Sequence, residues 1–597
     1  MTASTPETTN QILPTWNLAD LYANQDDPQL EKDLIWAAEE SATFASQVEG
    51  TLADLSGADL GLAIARYETI LERLYKVMSY AQLLHAGDVS NAEIGAYYQT
   101  LNERVTDIST VTLFFVLEIN RIDDEGLNRQ LKDPKAAQYE PWIRDTRAHR
   151  PHQLADDMEK MLLEKSVSGK AAWSRLFDEI MADARFNVDG QHQTLGDTLN
   201  LLSDPDAAVR KSGAKALSGG LQGHIRTLSL ITNTLAKDKE TEDRWRGYAS
   251  PISGRNLANQ VEDDVVEALV KAVKDSYGDL AHRYYGLKAS WFDQQQLDYW
   301  DRNAPLPGAD DQKIGWNDAK ETVLNAYSAF DPNMAKIAGR FFDERWIDAP
   351  PRPGKNSGAF AHPTVPSAHP YVLVNFHGKT RDVMTLAHEL GHGVHQVLAA
   401  PQGALLADTP LTLAETASVF GEMLTFQKML TSETDPVRRR VMLAGKVEDM
   451  LNTVVRQIAF HDFECHVHAE RSGGELSTQR LGQIWMETQA KSLGPSIRFD
   501  DDYQVFWAYI PHFIHSPFYV YAYAFGDCLV NSLYDVYASG HPGFEAKYFD
   551  MLRAGGSKRH KELLAPFGLE ASDPAFWKRG LSVVSRFIDE LEVGGKI

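Results

Sequence analysis

The sequence predicts a mainly α fold with a small β-sheet placed just before its most informative helix. Three observations carry that prediction. Apolar residues recur at helical spacing through most of the first 300 residues; a proline- and glycine-rich break runs from about Tyr299 to Lys379 and contains one strand-like stretch; helical spacing then returns and persists to the C-terminus. At 597 residues the chain exceeds what one ordinary core organises, so two or more domains are expected.

Taken in order, the start MTASTPETTNQILPTW has no basic stretch followed by an apolar one, so no secretory leader is expected. Asp59 to Ala86 has the apolar spacing of a helix with no proline or glycine after Gly61, and Ala96 to Arg121 repeats the pattern. The longest apolar stretches, such as Val111 to Leu117, fall far short of the roughly 20 residues a membrane helix needs, so no membrane association is expected. Ser203-Asp204-Pro205-Asp206 is a turn or helix-start signal, and it sets a boundary between a helical N-terminal domain, 1–204, and a second domain, 205–597. Asn303-Ala304-Pro305-Leu306-Pro307-Gly308 and Ala349 to Lys355 have the composition of loops. Between the second of these and the next helix, His369 to Phe376 is short, β-branched and aromatic, and is expected to be a strand.

Composition limits the function classes. Hydrophobic residues make up 43% and charged residues 24%, the balance of a soluble globular protein rather than a disordered or disulfide-stapled one. A net charge of -24 with no basic tract argues against nucleic acid as a partner, since phosphate contacts need surplus Lys and Arg. Two distant cysteines, Cys465 and Cys528, cannot make a disulfide framework and suit a reducing cytoplasm as small buried apolar groups.

The chemistry is concentrated in Thr380 to Gln396, TRDVMTLAHELGHGVHQ. Residues four apart share a helix face, so His388 and His392 can direct their imidazoles at one metal ion, with Glu389 beside them to take a proton from an attacking water. Thr380 is expected to cap this helix and Asp382 to suit its first turn. The alternative is a helix with two solvent-exposed histidines. A catalytic zinc normally has three protein ligands, and Glu415, 23 positions after His392 and beyond the Ala400-Pro401-Gln402-Gly403 loop, is placed to return as the third from a second helix. Its alternative is an ordinary helix-start carboxylate. Glu422, seven residues on, can share its face as a supporting acid.

These motifs resemble the thimet oligopeptidase family of zinc metallopeptidases, in particular its oligopeptidase F branch. The resemblance rests on His388 to Gln396, on Glu415 to Ser418, on Arg352 to Phe360, and on Tyr299-Trp300-Asp301 with Ala304-Pro305-Leu306. Downstream, Pro511-His512-Phe513 and Pro517 to Tyr523 look like the family's His-and-Tyr segment. The match runs from about 205 to 585, and the helical first third looks like the branch's N-terminal domain. It implies one zinc ion, a two-lobed helical fold with a deep channel, short unstructured oligopeptides as substrates, and a sheet edge near Val372 to Phe376 that pairs with an extended peptide. It also implies that a histidine and tyrosines of the downstream segment stabilise the oxyanion. His512 and Tyr521 match best by position, with Tyr519 adjacent; Phe518 stands where the thimet branch has a tyrosine, and His515 is a further candidate. The alternative for these aromatics is core packing.

The function expected is a zinc metallo-endopeptidase with Glu389 as general base. An exopeptidase of similar fold, a carboxypeptidase or dipeptidase, is the nearer rival, and a helical binding protein with structural zinc or none the more distant. His395 is expected to have a structural or supporting role, and the His461 to His468 cluster to be a polar helix surface rather than a metal site.

Overall fold

In the computed structural model the described residues are 13–166, 168–306 and 313–593. The opening dozen residues, and Pro307 and Gly308 of the expected loop, lie outside them; Asn303 to Leu306 do run in turn and irregular structure. The chain forms two compact units. One gathers Met1–Arg150, Asp311–Ser432 and Gly540–Phe567; the other gathers Pro151–Asp310, Glu433–Ser539 and Gly568–Ile597. Both units are helical with only small sheets, the mainly α peptidase fold expected.

In the first unit, three long helices, Pro28–Val48, Gly57–Gly87 and Ala92–Arg121, pack on one another. Each starts where the sequence supplies a cap: Asp27 accepts from the Gln29 N–H with Pro28 behind it, Ser56 from Asp59, and Asn91 from Glu93 and Ile94. The same unit contains the helices Trp316–Phe330, Pro332–Asp343, Thr380–Ala399, Ser418–Ser432 and Phe544–Arg553.

Its sheet has three strands in the order Ile347–Asp348, Tyr371–Leu373, Phe360–His362, the first pair parallel and the second antiparallel. The strand expected over His369 to Phe376 exists but is shorter, and it is the central strand, not an edge. The Val372 and Val374 N–H groups donate to Trp346 and Asp348, and that of Phe376 to Ala349, while Tyr371–Leu373 pairs with Phe360–His362 on its other side, so Tyr371–Leu373 offers no free edge to a peptide. The Arg352 to Phe360 motif braces the sheet: the buried Lys355 ammonium donates to the main-chain oxygens of Asp348, Pro350 and Val374 at 2.9, 3.1 and 2.7 Å, and Arg352 clamps the Asp348 carboxylate.

The second unit is built on the forty-residue helix Ala207–Arg246, which Asp206 caps and Gly247, in the left-handed conformation, ends. It thus starts at the Ser203-Asp204-Pro205-Asp206 signal, although the compact units divide the chain elsewhere. Helices Val455–Arg471, Thr478–Leu493, Tyr521–Ala538 and Pro574–Val593 complete its core. Two small sheets were not foreseen: a hairpin, Phe186–Val188 with Gln191–Gln193, turning through Asp189 and Gly190 at positive φ, and a parallel pair, Leu297–Asp298 with Ile497–Arg498. Asp301 of the Tyr299-Trp300-Asp301 motif is buried against the Arg210 guanidinium at 2.8 Å, a structural pairing. Cys528 is buried, Cys465 half-buried, and neither is in a disulfide.

Candidate metal centre

Thr380–Ala399, the motif helix, does not begin on a Thr380 cap. Lys379 precedes it, and the Asp382 carboxylate closes the end by accepting from the main-chain N–H groups of His377 and Lys379 at 2.7 and 2.9 Å. Tyr327 donates to the Ala387 carbonyl at 2.5 Å and fixes the helix at the residue just before His388.

Gly391 sets what approaches them. A Cβ there would lie 2.4 Å from the Ala417 carbonyl oxygen and 2.7 Å from the Ser418 Cα, so only glycine lets this chain segment lie against the helix. Glu415 therefore reaches the histidines from a turn between the short helix Leu411–Ala414 and Ser418–Ser432, not from the second helix itself. Ser418 Oγ donates to Glu415 Oε2 at 2.6 Å, and Tyr548 donates to the Thr416 carbonyl at 2.9 Å, which fixes the turn.

Glu415 Oε2 lies 3.3 Å from His388 Nε2 and 3.5 Å from His392 Nε2. One donor atom from each of the three side chains falls within 4.8 Å of the others. Glu422 Oε2 lies 3.2 Å from His388 Nδ1, the ring nitrogen turned away from the group. Glu389 is buried next to them, and the Ala361 N–H points at its carboxylate.

The electrostatics are those of a cation site. Burial alone would depress the His388 pKa, but hydrogen bonds to Glu415 and Glu422 push it up to about 10. Burial would raise Glu415, but the His388 hydrogen bond and the neighbouring imidazole charges hold it at about 2. His392, without such a partner on both sides, is depressed by burial to about 4 and is neutral, the form that ligates a metal. Burial raises Glu389 to about 7. Two neutralisable imidazoles and a carboxylate with converging donor atoms fit a divalent ion with an open coordination position.

His395 is buried and neutral, with Nε2 3.4 Å from Thr409 Oγ1, and is no part of the triad. The other expected residues belong to the second unit. His512 Nε2 lies 3.2 Å from the hydroxyl of Tyr523, not that of Tyr521. Tyr521 is fully buried and its hydroxyl accepts from Asn259 at 2.9 Å, whereas Tyr523 is 36% exposed. Tyr519 is half-buried, its ring 5.3 Å from that of Tyr523. The structure thus brings together His512, Tyr519 and Tyr523 and puts Tyr521 in the core. His515 is paired with Asp178 at 2.8 Å. The His461 to His468 cluster is not a polar surface: His461 and Glu464 are buried, and the His461 and His468 rings pack on Phe518. Sequence reasoning did not find Gly391, Tyr327, Tyr548 or Ala361, whose roles come from packing; the Ser418 role was marked only by its place in the Glu415 to Ser418 motif.

Known proteins resemble this chain over most of its length. The profile of Peptidase family M3 matches residues 200–583, and that of Oligopeptidase F matches 118–186. The chain is 27% identical over 594 residues to oligopeptidase PepF of Bacillus subtilis, covering 97% of this chain and 87% of that one. It is 26% identical over 535 residues to an oligoendopeptidase F homolog of Borreliella burgdorferi, covering 88% and 90%. The crystal structure of oligoendopeptidase-F from Enterococcus faecium superposes with a TM-score of 0.71 at 23% identity, covering 96% and 99%. The chain belongs to peptidase family M3, in its oligopeptidase F branch, and is a metalloendopeptidase.

Proposed function

We propose that this chain is a zinc endopeptidase that hydrolyses short, unstructured oligopeptides, with His388, His392 and Glu415 as metal ligands and Glu389 as general base. The observation that carries the reading is the convergence of the three donor atoms within 4.8 Å, next to the buried Glu389 carboxylate, which is not one of them. When bound there, zinc supplies a Lewis acid for the scissile carbonyl and the attacking water. Cobalt or manganese suits the same donors.

The residues of the chain do the rest. Glu389 accepts the proton of the attacking water and passes it to the departing amine. Burial places its affinity for protons near neutrality, so it can both take and release one. Glu422 on Nδ1 of His388 leaves Nε2 as the ligating nitrogen. For the oxyanion we assign His512 with Tyr523 or Tyr519, the hydroxyl-bearing rings grouped around it, in place of Tyr521. The two cysteines outside any disulfide suit a cytoplasmic setting.

The experiment is cleavage of a short, internally quenched peptide blocked at both ends, with and without a zinc chelator. Internal cleavage that the chelator abolishes and added zinc restores is the expected result. Trimming only of an unblocked peptide would replace the reading with an exopeptidase, and silence on both with a binding protein.

A further inference from the structure

A cavity of about 760 Å³ in the first unit starts where the motif helix passes its last candidate ligand. Gln396 lines it, and Gln396 follows His392 by four residues. The two therefore share a helix face, about 6 Å apart along the axis. Gln396 Nε2 also donates to the Ala361 carbonyl at 3.1 Å, while the N–H of the same Ala361 points at Glu389. One residue of the sheet thus touches both the general base and the wall of the cavity.

The walls are more apolar than polar and carry several aromatic rings. Tyr67, Tyr75, Val116 and Trp142 of the N-terminal helices line it, together with Val365 and Leu405 from later in the chain. Arg340 and Asp408 are the charged side chains of the lining. Arg340 is already committed, stacked on Trp346 and paired with Glu344 at 2.8 Å. No uncommitted cation is therefore offered to an anionic ligand at this wall. Tyr75 keeps 47% of its surface exposed, and a concave aromatic surface left open to water gains by covering. Tyr67, Tyr75, Val116 and Trp142 come from helices Gly57–Gly87, Ala92–Arg121 and Glu140–Ala148, a part of the chain that supplies none of the metal group.

We infer that this cavity is a specificity subsite that receives apolar side chains of the peptide substrate, two to four residues from the cleaved bond, and that the N-terminal helices exist in part to build it. The inference rests on the peptidase reading above. An extended peptide advances about 3.3 Å per residue, so two residues span the axial distance from His392 to Gln396. The occupant is the substrate because the cavity continues the helix face that carries the metal ligands.

The test uses the full-length, zinc-loaded protein and three peptides blocked at both ends. They share one central bond and carry Leu-Phe pairs on one flank, on the other flank, or Ser-Gly in both. Wild type should cleave one of the apolar peptides with kcat/KM about tenfold above the polar one. Ala404→Trp, which fills the cavity, and Tyr75→Ser, which strips an exposed wall residue at little risk to folding, should bring that ratio close to one. Binding supplies a readout without turnover: the labelled apolar peptide, followed by fluorescence anisotropy on Glu389→Gln protein, should bind several-fold more weakly when either change is added. If both variants keep the wild-type ratio and the wild-type affinity, the subsite assignment is overturned. If wild type cleaves none of the peptides, the peptidase reading fails, while the anisotropy comparison still decides the subsite.

Discussion

Glu422 holds His388 by the ring nitrogen turned away from Glu415: its Oε2 lies 3.2 Å from Nδ1, while Nε2 faces Glu415 at 3.3 Å. A carboxylate at that position fixes the tautomer and the ring plane and makes the ligating nitrogen more basic. Glu422→Gln keeps the size and loses the charge. It should weaken zinc binding by roughly 10- to 100-fold in competition with a chromogenic chelator. Glu415→Ala should lower affinity further, since it removes a ligand. Equal affinities for wild type and Glu422→Gln would reduce the contact to packing.

On the proposed mechanism Glu389 separates binding from chemistry. It is buried beside the ligands but its carboxylate is not one of the three converging donors. Glu389→Gln should therefore retain a stoichiometric metal by elemental analysis while kcat falls by about 100-fold or more. Near-normal turnover by the metal-loaded variant would remove Glu389 from the general-base role.

The helix spacing of Asp59 to Ala86 and of the motif helix was legible because one face of each is apolar at a period that survives in three dimensions. The observed helices are Gly57–Gly87 and Thr380–Ala399. The pairing of His388 with His392 as candidate ligands was legible because the two fix each other's geometry through the helix alone. Where the sequence misled, the missing quantity was the phase of an element against its neighbours. The β-branched run around Val372 marks a strand, but not that Ile347–Asp348 and Phe360–His362 flank it on both sides. Polar letters at His461, Cys465 and His468 suggest a wet face, yet their spacing of four and three puts them on one side of a helix whose core face includes Ile458, Glu464 and Val467. The Glu415 approach depends on Gly391, and a close approach of two backbones leaves no periodic signal.

The same loss of phase separates Tyr521 from Tyr523. Two residues apart on a helix they face different ways, one into the core and one outward. Tyr521→Phe removes the hydroxyl that accepts from the buried Asn259 amide and should cost about 1 kcal/mol of stability, read as a lowered urea midpoint, with kcat close to wild type. Tyr523→Phe removes the hydroxyl 3.2 Å from His512 Nε2 and should lower kcat with KM held and the urea midpoint unchanged. The reverse pattern would return the oxyanion role to Tyr521.

Glu464 should make the stability of this protein fall as pH rises. Burial lifts its carboxyl from the ordinary 4.5 to about 8, against the opposing pull of the Phe518 N–H, Arg255 and Lys239. Its Oε1 accepts from the Phe518 N–H at 2.8 Å, where Phe518 sits at φ +60, and Oε2 is sealed without a partner. The folded state therefore keeps a proton that the unfolded chain loses above about 4.5. Stability from this group is fully present below that pH and is lost as pH climbs to about 8, at up to ~1.4 kcal/mol per pH unit inside the window. Glu464→Gln keeps an acceptor for Phe518 and cannot ionise, so its amide adds an offset that does not change with pH. The measurement is the Tm of both proteins at pH 5 and pH 8. The variant should gain on wild type between the two, because only wild type must force a charge into the core or unfold to release its proton. A Tm difference that stays constant across the window would mean that Glu464 is ionised throughout, and that Arg255 and Lys239 outweigh its burial.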